Sequence, residues 1–151
     1  MQRGLARMAA IVALTLTVVL VAGTIALPAG AVTPTKRERM LAWANQARDA
    51  HGTRALETGY RVWSIARDHS LSMSRTRDLY HSTNLSTKLS FVSWSTYGEN
   101  VGVGVDPEGL FRAFMHSDPH RRNILNRDFR KVGIAFARED GMLWVTMIFF
   151  G

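Results

Sequence analysis

VGIAFAREDGMLWVTMIFF, running from Val132 to Phe150, is the stretch that decides the fold class. Val132, Ile134 and Phe136 alternate with Gly133, Ala135 and Ala137, which is the two-residue period of a strand with unlike faces. Asp140-Gly141 then supplies a hairpin turn, and Leu143, Val145 and the run to Phe150 form the returning strand. A closing β-hairpin is the reading. Upstream of it the chain is mainly helical in pattern, so helices come first and the clear hairpin last. That order predicts an α+β domain with an antiparallel sheet rather than alternating βαβ units.

Working back from the hairpin, Asp106-Pro107-Glu108 combines an N-cap, a proline at the first helical position and an early acid that suits the helix dipole. A helix opens there, with Leu110, Phe111, Phe114 and Met115 on its buried side. Gly98-Glu-Asn-Val-Gly-Val-Gly104 reads as a short strand whose glycines admit a close neighbour. From Tyr80 to Tyr97 the chain is rich in Ser, Thr and Asn, the composition of a long surface segment. A helix is expected over about 57–79, because Val62, Ala66, His69 and Met73 fall on one face. His69 is then a hydrogen-bonded core residue. Thr35-Lys-Arg-Glu38 matches the capping box, so a first helix begins here and should end before Gly52.

The first 31 residues have a separate character. Arg3 and Arg7 precede an uncharged apolar run, Ala9 to Leu27, followed by Ala29-Gly30-Ala31. This is the layout of an export signal cut after Ala31. The run also lies near the border of the length that a retained membrane anchor needs. Both readings place the following domain outside the cytoplasmic membrane. The expected organisation is thus signal peptide or anchor over 1–31, a linker and the start of the first helix over 32–39, and one domain over 40–151.

Composition removes several classes of function. The absence of cysteine excludes disulfides, thiolate zinc sites and cysteine nucleophiles, so the domain must be held by its core alone. Of 19 basic residues, Arg3 and Arg7 leave with a cleaved signal, and the remaining 17 against 12 acids give a formal charge of +5. The cations are dispersed, without the dense stripe and interleaved aromatics of a nucleic-acid binder, so no nucleic-acid partner is expected. Anionic wall polymers or a membrane surface fit such a charge better. There is no Gly-x-Ser-x-Gly elbow, His-Glu-x-x-His helix, Walker loop or dinucleotide fingerprint, and no nucleotide cofactor is expected.

What remains is a spaced polar set on loops and element ends: His81, Glu99 with Asn100, and His120 with Ser117. Pro119 should begin a short helix whose polar mouth carries His120 and whose base buries Ile124 and Leu125. His116 reads as peripheral at a helix C-terminus.

These segments together resemble the CAP superfamily of cysteine-rich secretory, antigen 5 and pathogenesis-related proteins, in a short, cysteine-free bacterial form. The residues that carry the resemblance are Trp43, Asn45 and Arg48, His51-Gly52, Ala66 with His69-Ser70 and Met73, His81-Ser82, Gly98-Glu99-Asn100, and Ser117 with His120, Arg121, Asn123, Ile124 and Leu125. The resemblance implies a three-layer α-β-α sandwich around a central antiparallel sheet, with a cleft lined by His81, Glu99 and His120. Many eukaryotic members carry a second glutamate where Ser117 stands here, which weakens any scheme that needs two carboxylates.

Two imidazoles and a carboxylate in one cleft suit a divalent metal such as Zn²⁺, held by His81, Glu99 and His120. They equally suit acid–base chemistry, or a hydrogen-bonded network that only organises loops. A Ser/His hydrolase built on Ser82 or Ser117 would need the serine within reach of a histidine. The expectation is a secreted or surface-anchored module binding an extracellular ligand (a lipid, a cell-wall component or a protein) through the cleft. A lipid-carrying version would add an apolar groove beside Phe91, Trp94 and Tyr97.

Overall fold

The computed structural model describes residues 33–151. The expected signal or anchor over 1–31 lies outside the described residues. Helix α1 (Lys36–Ala50) starts as expected: Thr35 accepts from the Glu38 amide at 3.2 Å, and Glu38 accepts from the Thr35 amide at 2.7 Å. It ends beside Gly52, whose φ of +62° is the left-handed conformation that glycine adopts without a Cβ penalty.

Strand β1 (Glu57–Thr58) and helix α2 (Tyr60–Thr76) correct the expected helix over 57–79. Glu57 and Gly59 donate their amides to Arg130 and Val132 carbonyls at 2.9 and 2.8 Å, so this segment joins the sheet before the helix can start. Two paired residues leave no periodic trace in a sequence. At the other end Arg77 turns left-handed (φ 56°) and stops α2. A four-residue helix α3 (Leu85–Lys88) interrupts the Ser/Thr-rich segment and buries Leu85, with Leu89 buried just beyond it. Strand β2 (Tyr97–Gly104), helices α4 (Pro107–His116) and α5 (Asp118–Leu125), and strands β3 (Lys131–Glu139) and β4 (Met142–Phe150) complete the chain. Asp106 caps α4 by accepting from the Gly109 amide at 2.8 Å.

The sheet order is β1-β3-β4-β2. The β3–β4 hairpin pairs Lys131 with Phe150 and Glu139 with Met142, β2 pairs antiparallel with β4, and only the two-residue β1 runs parallel, along β3. The sheet is antiparallel apart from that edge. Strand β4 is central and covered on both faces, which explains its nearly unbroken apolar run. Its one polar member, Thr146, is fully buried and accepts from Ser70 Oγ at 2.9 Å.

The pleat separates two layers of core. Val132, Ile134, Leu143, Val145, Met147 and Phe149 meet α1, α4 and α5 through Met40, Ala44, Leu110, Phe114 and Ile124. On the other face Ala135, Ile148 and Phe150 meet α2 and α3 through Val62, Ala66, Leu85 and Leu89. The small side chains of β3 face α2 for a reason: a Cβ on Gly133 would lie 2.8 Å from the Val62 carbonyl carbon, so the helix backbone rests directly on the strand. The α-β-α sandwich expected above is therefore the observed architecture.

Candidate functional site

Strand β2 lies at the edge of the sheet, yet its middle is buried on both sides. One side carries Gly98, Asn100 and Gly102. A Cβ on Gly98 would come within 2.8 Å of Asn123 Oδ1, and one on Gly102 within 3.0 Å of the Phe114 ring, so α4 and α5 sit against bare backbone. The other side carries Glu99 and Val101, with Val101 packed among Met73, Ala137 and Trp144. The site straddles this edge strand.

On the Glu99 side the carboxylate is buried, its side chain 5% exposed, while the His81 side chain is 62% exposed. Glu99 Oε2 accepts from His81 Nδ1 and from the Ser82 amide, both at 2.8 Å. A carboxylate can only accept, so Nδ1 of His81 is the donor and carries a proton, and the neutral form of the ring has its lone pair on Nε2. Glu99 Oε1 and Ser82 Oγ are buried without a hydrogen-bond partner. Oε1 lies 4.0 Å from Nε2 of His69, which is itself 2.8 Å from the Tyr80 carbonyl oxygen. The segment Tyr80–Ser82 is thus strapped down at successive residues by groups from α2 and β2. A recess of about 420 Å³ adjoins it, lined by His81, Ser82, Glu99, Tyr97 and residues of α3.

On the other side α5 presents His120, whose Nδ1 is 2.9 Å from Ser117 Oγ and whose ring packs against Phe114 with centroids 4.9 Å apart. Asn100 Nδ2 donates to the His120 carbonyl at 3.0 Å. Asn123 Nδ2 donates to Asn100 Oδ1 at 2.9 Å and to the Glu99 carbonyl at 3.1 Å. Those bonds fix α5 to the strand that carries Glu99. Burial, and then the charge of His81, lower the pKa of His120, so the two imidazoles sense one another and His120 favours its neutral form.

The expected residues therefore meet as two pairs, His81 with Glu99 and Ser117 with His120, while Asn100 joins them through backbone and amide bonds. His116 stands apart, bonded to the Arg112 carbonyl at 2.8 Å. Two members went unassigned to the site in the sequence reading. His69 looked like a core histidine and is buried as expected, but it also backs Glu99. Asn123 lies three residues after His120, a helical spacing that places both on one face and was a usable signal.

The arrangement bears on both chemistries considered above. The serine-to-histidine contact and the histidine-to-carboxylate contact involve different histidines, so no Ser-His-Glu relay is assembled. For a metal, Glu99 Oε2 is committed to His81 and Ser82, and no three His, Cys, Asp or Glu side chains converge as a ligand set among the described residues. On His81 and His120 the ring nitrogens left without a hydrogen bond are Nε2 of His81, with Glu99 behind that ring as the orienting carboxylate, and Nε2 of His120.

Beside Phe91 lies a second recess of about 460 Å³, lined by Tyr60, Arg61, Phe91, Lys131 and Phe150 and not by Trp94 or Tyr97. Trp94 and Tyr97 instead pack edge-to-face on each other at 4.9 Å.

Known proteins share this architecture. An outer surface protein from Borrelia burgdorferi superposes with a TM-score of 0.70 at 15% identity, covering 76% of this chain and 91% of that one. An extracellular protein containing an SCP domain from Bacillus anthracis gives 0.67 at 21% identity, covering 80% of this chain and 44% of that one. At these identities the likeness is one of fold. In sequence, the Bacillus subtilis protein YkwD is 41% identical over 61 residues, a stretch that covers 40% of this chain and 23% of that protein. Less than a quarter of that relative's length is matched. The sequence pattern of the cysteine-rich secretory protein family matches residues 41–149, from within α1 to within β4. The chain belongs to the cysteine-rich secretory protein (CAP) family.

Proposed function

We propose that this protein is an exported CAP module that acts at or beyond the cell surface by binding a ligand through the edge-strand cleft, without turning it over. The observation that carries the reading is the division of the polar groups into His81–Glu99 and Ser117–His120. Each pair holds one imidazole in a defined orientation with a ring nitrogen free for a ligand, and the one serine–histidine contact, Ser117 with His120, has no carboxylate behind its imidazole. The buried carboxylate acts as an anchor for His81 and the Tyr80–Ser82 strap. The apolar run ahead of the domain, and the surface or extracellular description of the two fold neighbours, support export.

The test is affinity capture from envelope extract with the parent and a His81→Ala/His120→Ala variant as baits. A component retained by the parent and lost by the variant is the expected result. An identical retained set would overturn the reading, as would an ester- or peptide-hydrolysing activity of the purified parent that Glu99→Gln abolishes without loss of fold.

A second reading rests on the two Nε2 atoms: a divalent cation such as Zn²⁺ held by His81 and His120, with Glu99 behind His81. Such a cation would supply an electrophilic centre for a ligand oxygen, while the protein's own part is to orient the two imidazoles. Calorimetric titration of Zn²⁺ into the parent, His81→Ala and His120→Ala tests it. One-to-one binding lost in both variants supports the site, and equal binding in all three removes it.

A further inference from the structure

The outward face of α2 gathers cations and aromatic rings in an ordered way. Trp63 is flanked by two guanidiniums, with Arg37 of α1 6.0 Å and Arg67 5.2 Å from its ring centroid. Arg61 lies 4.9 Å from the centroid of Phe91. Between these stacks stands Tyr60, 74% exposed, and Phe91 itself is 40% exposed. Lys131 and Arg61 both line the recess beside Phe91, and Lys36 and Arg37 both line the smaller one beside Trp63.

Stacking on a ring face orders a guanidinium without spending its in-plane N–H donors. Among the described residues neither Arg37 nor Arg61 makes an ion pair or donates a side-chain hydrogen bond, so both forks remain available to an oxyanion. The acids nearby are already engaged: Asp68 with Arg67 at 2.8 Å and Glu57 with Arg54 at 3.5 Å. None of the residues lining these two recesses lines the one beside His81 and Glu99.

We propose that this face, centred on Arg37, Arg61, Trp63 and Lys131, docks the domain onto an anionic lipid bilayer. The cations match phosphodiester headgroups, and each is worth about fivefold in affinity near an anionic surface. The aromatics carry the choice of a bilayer over a soluble polyanion: Tyr60 and Phe91 present apolar bodies at the level of the cations, where an interface offers both headgroup and acyl surroundings.

The test uses the folded unit Thr33–Gly151, whose core is complete in itself, so that no upstream apolar residues contribute. Co-sedimentation with phosphatidylcholine vesicles is compared with vesicles that also contain phosphatidylglycerol. Binding to the second kind alone, weakened by added salt, is expected. An Arg37→Gln/Arg61→Gln/Lys131→Gln variant should bind on the order of a hundredfold more weakly. Arg121→Gln/Arg122→Gln/Arg127→Gln, with the same charge removed from around α5, should bind like the parent. Tyr60→Ser/Phe91→Ser should bind vesicles more weakly with its salt dependence retained. The proposal fails if phosphatidylglycerol vesicles are not bound, or if both charge variants lose binding equally. It also fails if a soluble poly(glycerol phosphate) is bound as tightly as the vesicles and Tyr60→Ser/Phe91→Ser changes neither, which would make the face a polymer site.

Discussion

His81 and Glu99 form a bond between an exposed imidazole and a buried carboxylate, 2.8 Å from Nδ1 to Oε2, and the carboxylate can play only the acceptor. Glu99→Gln offers an amide that can also donate, so the tautomer of His81 is no longer imposed. ¹⁵N-resolved spectra of the histidine ring should show the Nδ1–H tautomer in the parent and a mixture in the variant. The lost charge-assisted bonds to His81 and the Ser82 amide should lower stability by about 1–3 kcal/mol. A ring spectrum unchanged by the substitution would mean that Glu99 does not set the tautomer.

His120 gives the site a pH dependence of definite sign. Burial, then the neighbouring His81, hold its folded pKa below the ordinary value of about 6.5. Its contribution to stability is therefore fully present above about pH 6.5 and is lost as pH falls through the lower folded value. Thermal melts across that window should show the loss, and His120→Gln should flatten it. In His81→Ala the His120 ring should titrate closer to its ordinary value by NMR, with the part due to burial remaining.

Arg48 is fully buried and donates to four carbonyls, those of Arg54, Ile124, Asn126 and Phe129, at 2.7, 2.8, 2.8 and 3.1 Å. Burial, with Arg130 nearby, lowers its pKa, and the carbonyls stand in for an acid partner. Lysine keeps the charge but has three rotatable donors in place of a planar fork. Chemical denaturation of Arg48→Lys should show a loss of about 2–4 kcal/mol, because buried carbonyls at the end of α5 lose their donor. A variant as stable as the parent would show that lysine can replace the fork.

Gly133 and Gly102 separate two kinds of close approach. A Cβ at 133 meets the Val62 backbone at 2.8 Å, whereas one at 102 meets the Phe114 ring at 3.0 Å, and a ring can shift more readily than a helix backbone. Gly133→Ala should therefore cost more than Gly102→Ala, the first about 2–3 kcal/mol and the second about 1. The reverse order in denaturant midpoints would contradict the contact described between α2 and β3.

Local chemistry made much of this fold legible. The capping box at Thr35 and Glu38, the Asp106-Pro107 start of α4 and the Asp-Gly hairpin are each decided by neighbours along the chain, and each formed where expected. Strand β1 was not legible, because two residues paired with a strand more than seventy positions later carry no period of their own. The site was half legible. His81, Glu99 and His120 could be singled out by type, but which nitrogen of which histidine meets which oxygen depends on the opposed faces of β2. His69 shows the same limit: its apolar stripe predicted burial correctly, while its approach to Glu99 follows from the packing of α2 across β3 and β4, which no local pattern encodes.

The position of β4 also has a consequence for how the molecule comes into being. Every strand pair in the sheet includes a residue of Lys131–Phe150, since β3 or β4 takes part in each. A chain emerging N-terminus first, from a ribosome or through a membrane pore, has no sheet until those residues emerge, and with no cysteine it has no covalent staple to hold a partial structure. Helices α1 and α2 wait, unable to bury their apolar faces against a layer not yet made. The same topology that places β4 at the centre thus leaves assembly of the whole sheet to the β3–β4 hairpin.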